Sequence, residues 1–124
     1  MAKLTRLSLL LGLAVALPAA PALARISTEY IRNVIRAHLT EIRSCYEDGL
    51  RTRPDLAGRV VMRFTIGADG TVSSAEVAST TLHDPPVEAC IAERVRHFQF
   101  PPIPGGGTVS VNYPFVFEAP DPGN

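Results

Sequence analysis

Val60, Met62, Phe64 and Ile66 alternate along the chain with Val61, Arg63 and Thr65. A period of two is the mark of a strand that buries one face, so this stretch predicts the first strand of a sheet. Gly67 to Thr71 follow as a turn, in which Asp69-Gly70 takes positive φ at little cost, and together they spell a β-hairpin across residues 58–72. The return strand runs from about Val72 to Thr80, where parity fails: Val72 points one way while Ala75, Val77 and Ser79 point the other. A bulge near Ser73 or Ser74 is expected, because only an extra residue lets both valines reach the core.

On either side of the hairpin the spacing changes to three or four. Ile31, Ile35, Leu39, Ile42, Tyr46 and Leu50 form one stripe, which predicts an amphipathic helix from Ser27 to about Leu50. Ser27 or Thr28 can cap it, and Pro54 bars its continuation. Asp84-Pro85 is an N-cap followed by a residue with no N–H to lose, and Val87, Cys90, Ile91, Arg94, Val95 and Phe98 follow at helical spacing until Pro101. Gly105-Gly106-Gly107 then leads into a third strand, where Val109, Val111, Tyr113, Phe115 and Phe117 alternate with Ser110, Asn112, Pro114 and Val116. Pro114 cannot donate to a ladder, so this strand belongs at a sheet edge. The order is helix, strand, strand, helix, strand. A right-handed crossover through the second helix sets strand three beside strand one, predicting an α+β fold with a three-stranded antiparallel sheet of order 2-1-3 and two helices on one face.

The first 24 residues do not fit this pattern. Lys3 and Arg6 precede an apolar run from Leu7 to Leu17, and small residues and prolines lead to Ala22-Leu23-Ala24, the layout of a cleavable secretory signal. An apolar run of about eleven residues is well short of the roughly twenty that span a bilayer. Three parts are expected: a signal over residues 1–24, one domain over 25–119 and a flexible Pro/Gly-rich tail over 120–124. From Arg25 onward ten arginines face twelve carboxylates, a formal net charge of −2 with histidine neutral. Such a balance, with no concentrated basic stretch, gives no support for binding nucleic acid or anionic lipid.

The motifs Gly58-x-Val60-x-x-x-Phe64-x-Ile66-x-x-Asp69-Gly70-x-Val72, then Val77, Val95-x-x-Phe98-x-Phe100-x-Pro102, a glycine-rich loop and a closing aromatic strand resemble the C-terminal domain of TonB across nearly the whole chain after residue 24. The match is closer to the variant of that domain that ends the AgmX/PglI gliding-motility proteins. It rests on Ile35-Arg36, Glu41-Ile42-Arg43, Cys45-Tyr46-Glu47, Val87-Glu88-x-Cys90-Ile91 and Tyr113-Pro114-Phe115. The resemblance implies a non-enzymatic periplasmic module that binds other envelope proteins, such as an outer-membrane receptor or a motility component. In TonB the third strand receives an extended peptide by strand addition. By position that edge is Val109, Ser110, Val111, Asn112, Tyr113 and Phe115 here, with backbone pairing giving affinity and Val109, Val111, Tyr113 and Phe115 selectivity. Two departures stand out: Phe98 occupies the place of the family's usual tryptophan, and neither a membrane anchor nor a long proline-rich spacer separates signal from domain. A free periplasmic adaptor is therefore expected, with secretion beyond the outer membrane left open. The alternative is a structural component that pairs the same edge into a homodimer.

In an exported protein, Cys45 and Cys90 on two helices that share a sheet face are expected to form a structural disulfide; two free buried thiols are the alternative. Closing that loop would stabilise the fold by roughly 4 kcal/mol in the chain-entropy model. No Cys-x-x-Cys occurs, and His38, His83 and His97 have no metal-ligand spacing, so no cofactor or metal is expected. His38 at the border of the stripe reads as a packed or half-exposed histidine and not a base, Asp69 and Glu76 as turn and exposed-strand residues, and the triple glycine as a tight connection. Arg32, Arg36 and Arg43 share a broad helix face with Glu29 and Glu47 nearby, the usual make-up of a solvated surface. A partner's acidic patch is the functional reading of the same face.

Overall fold

The computed structural model describes residues 27–120. The predicted signal and residues 121–124 of the predicted tail lie outside that range. In chain order the elements are α1 (Thr28–Ala37), α2 (Leu39–Leu50), β1 (Gly58–Ile66), β2 (Val72–Thr80), α3 (Pro85–Arg96) and β3 (Val109–Phe117). The three strands form one antiparallel sheet in the order β2-β1-β3, the α+β arrangement that the crossover argument predicts.

β1 lies at the centre because both of its edges are paired and its inward residues are the most apolar of the sheet. Val60, Met62, Phe64 and Ile66 have no exposed surface. They pack with Ile31, Ile35, Ile42, Cys45, Tyr46, Val87, Ile91 and Val95 into one core, so the helices cover one sheet face. Among the described residues nothing covers the other face: Arg59, Arg63, Ser110, Asn112, Pro114 and Val116 are exposed on it, and Arg63 pairs with Glu76 across the strands at 3.5 Å.

The parity problem in β2 is resolved by skipped residues. Ile66 faces Val72 and Thr65 faces Ser74, which leaves Ser73 unopposed; a second shift passes over Ala78 between Ser79 and Val77. Val72, Ala75 and Val77 thereby all turn to the core side, Ala75 buried and both valines packed against the core. The two helix starts are as predicted: Ser27 Oγ accepts from the Glu29 N–H at 3.1 Å, and Asp84 Oδ1 accepts from the Val87 N–H at 3.1 Å with Pro85 at the first helical position.

The first helix departs from expectation. It is broken at His38, whose φ of −109° and ψ of 7° leave the helical region. There the His38 N–H closes a tighter bond to the Ile35 carbonyl at 3.0 Å, and the Glu41 and Ile42 N–H groups restart the ladder on the His38 carbonyl. The His38 ring stacks on Phe98 with 4.6 Å between centroids, and Nδ1 lies 3.3 Å from Glu41 Oε1. Phe98 itself sits beyond the end of α3, in the turn where its N–H reaches the Val95 carbonyl. It remains buried and fills core space.

Candidate functional site

Among the described residues, the sheet leaves one edge of β3 open. β3 pairs with β1 alone, in an unshifted register from Gly58 opposite Phe117 to Ile66 opposite Val109, and residues 118–120 continue without pairing. In an antiparallel ladder, residues whose N–H and C=O face the neighbour alternate with residues that face away. Pro114 has no N–H and stands opposite Val61 without disturbing the register, so it belongs to the outward set. The other side of β1 agrees: the Arg59 N–H and C=O both engage Thr81 beside β2, at 2.9 and 2.8 Å. Odd residues of β1 thus face β2, and even ones face β3. Ser110, Asn112 and Val116 consequently present free N–H groups outward, and Pro114 interrupts the series between them.

The open edge faces a trough whose far wall is the helix pair. One end, a depression of about 430 Å³, is lined by Arg43, Tyr46, Glu47 and Leu50 opposite Val116, Phe117 and Glu118. Its middle holds Leu39, Ile42 and Arg43 opposite Tyr113 to Phe117. The other end, about 740 Å³, is lined by Thr28, Ile31, Arg32 and Arg36 opposite Ser110 to Pro114. Charge is sorted along its length. Arg32 and Arg36 stand at the Ser110 end with no carboxylate among the lining residues, while Glu47 and Glu118 accompany Arg43 at the Phe117 end.

The residues assigned to this edge from the sequence divide into two sets. Ser110 and Asn112 are exposed, and Tyr113 is half-buried in the trough. Val109, Val111 and Phe115 are 2%, 9% and 3% exposed, turned into the core by the strand's alternation. Their side chains are occupied by the protein's own packing, with Val111 and Phe115 also contributing to the trough floor. The side chains left accessible along this edge are those of Ser110, Asn112, Tyr113 and the helical wall. Arg32, Arg36 and Arg43 form no ion pair among the described residues, although Glu29 and Glu47 are near them in sequence. A solvated face and a trough wall look alike in a sequence, because only the placement of helix against strand separates them.

Around the trough the scaffold is tied down at several points. Cys45 of α2 and Cys90 of α3 are joined by a disulfide, with Cα atoms 5.7 Å apart. Tyr46 donates its hydroxyl to the Leu56 carbonyl at 2.6 Å and stacks on Phe117 of β3 at 4.7 Å, holding the strand's end to α2. Burial pushes its phenol above the ordinary value, since the ionised form would be poorly solvated there. At the opposite end of β1, the Asp69 carboxylate accepts from the Thr71 hydroxyl at 2.7 Å and the Thr71 N–H at 3.1 Å. The hydroxyl bond first, then the amide, holds Asp69 below the usual carboxylate range. Among the described residues no group of three or more His, Cys, Asp or Glu side chains could hold a metal ion, and no helix is long and apolar enough to cross a membrane.

No protein-family model matches this sequence, and no curated protein matches it. Among solved structures, the chain is similar to the solution structure of the TonB C-terminal domain of Helicobacter pylori, with 21% identity, coverage of 81% of this chain and 92% of that chain, and a TM-score of 0.45.

Proposed function

We propose that this protein is an interaction module of the cell envelope that receives an extended segment of another protein along the outer edge of β3. The observation that carries the reading is the open edge itself: outward N–H groups at Ser110 and Asn112 face a trough walled by a helix, a geometry that accepts a further strand. The sequence resemblance to the TonB C-terminal domain and its AgmX/PglI variant supports an envelope partner, an outer-membrane receptor or a motility-complex component. The leader-like residues 1–24 and the disulfide support export to an oxidising compartment.

The test is to place a photo-crosslinking residue at Ser110 or Asn112 in cells. Capture of a distinct envelope protein, lost when Asn112 is replaced by proline, is the expected result. Capture of nothing, or of this chain alone, overturns the reading. Sedimentation at micromolar concentration separates the homodimer alternative, which requires a dimer where the adaptor reading expects a monomer. Export has its own check: the periplasmic fraction should yield a chain that begins at Arg25.

A further inference from the structure

We infer that the segment received by β3 is acidic where it pairs with Ser110 and Asn112, its carboxylates meeting Arg32 and Arg36. This rests on the edge-pairing reading and deepens it.

Pairing is not equally available along the edge. Pro114 removes one outward donor, so the run that can bond an incoming strand at successive positions is the Ser110 to Asn112 half. That half opens onto the part of the trough walled by Arg32 and Arg36. Both arginines are exposed, one helical turn apart, and neither is neutralised by an ion pair among the described residues. An incoming strand projects alternate side chains toward the helix wall, where two guanidinium groups and no lining carboxylate await them.

The same arrangement disfavours a second copy of this chain. A two-fold pairing centred on the competent half would bring Arg32 and Arg36 of both copies together, four cations with no carboxylate among the lining residues. An acidic segment removes that repulsion and adds attraction, so charge complementarity selects it.

The test uses three nonapeptides that alternate valine with threonine and carry Asp, Asn or Lys at two successive threonine sites. Each is titrated into the oxidised protein while the Ser110 and Asn112 amide resonances are followed. At low salt the Asp peptide should bind about 5–10-fold more tightly than the Asn peptide and the Lys peptide most weakly, the differences shrinking in about 0.5 M salt. In the Arg32→Glu/Arg36→Glu variant, its fold checked by circular dichroism, the order should reverse. Equal affinities with the same amides shifting would overturn the acidic preference and leave edge pairing intact. No shift with any peptide would overturn edge pairing itself. Concentration-dependent shifts without peptide, unaffected by the Asp peptide, would assign the trough to a second copy and sink the proposal.

Discussion

Gly70 and Phe100 are in backbone contact: the Phe100 N–H donates to the Gly70 carbonyl at 2.9 Å, and a Cβ on Gly70 would collide with the Phe100 carbonyl. Gly70 also has a φ of +88°, a region costly for residues with a side chain. Alanine here meets both penalties, and we expect Gly70→Ala to cost roughly 2–4 kcal/mol. A denaturation midpoint equal to that of the wild type would show that the Phe100 segment moves aside without cost.

Asp69 caps the same turn by accepting two bonds from Thr71. Its folded pKa is depressed below the ordinary 3.8, so its contribution to stability is fully present above that value and is lost as pH falls through the folded one. Asp69→Asn should therefore lower Tm at neutral pH, and the gap from wild type should close below about pH 4. A gap that stays constant to pH 2 would detach Asp69 from the turn's acid sensitivity.

The alkaline limb belongs to Tyr46. Its neutral phenol is the favoured form in the fold, so the contribution is complete below the ordinary value of 10.0 and is lost as pH rises through the raised one. Tyr46→Phe removes the donor to the buried Leu56 carbonyl and should cost about 1–2 kcal/mol near pH 7. Thermal melts from pH 7 to 11 should show the two proteins converging at the top of the range.

Pro114 keeps the edge short, a common protection against unwanted strand pairing. Pro114→Val would restore an outward N–H between Asn112 and Val116 and lengthen the sticky run. Light scattering should then detect association at lower protein concentration than for the wild type. A variant that stays monomeric while folded would mean that Pro114 does not limit self-pairing.

Much of this architecture can be read from the residues alone. The failed parity between Val72 and Val77 demands a bulge, and Ser73 supplies it; Asp84-Pro85 and Pro114 mark a helix start and a sheet edge because each removes or satisfies a backbone group in only one way. The break at His38 leaves no such trace: Ile35, Leu39 and Ile42 keep helical spacing across it, and no proline or glycine interrupts them. The candidate site divides likewise. Alternation identifies β3, but it does not show that the side chains of Val109, Val111 and Phe115 turn into the core, because either strand face could belong to it. The role of Arg32 and Arg36 depends on which helix face lies along β3, a tertiary relationship that a sequence pattern does not carry.

The Cys45–Cys90 bond spans most of the chain between the middle of α2 and the middle of α3, enclosing β1 and β2. In reducing surroundings that bond is absent, and the fold goes without a contribution comparable to much of a small domain's margin. Reduction therefore leaves a less stable fold, in which α2 and α3 are held to the sheet by the packing of the core without a covalent tie between them.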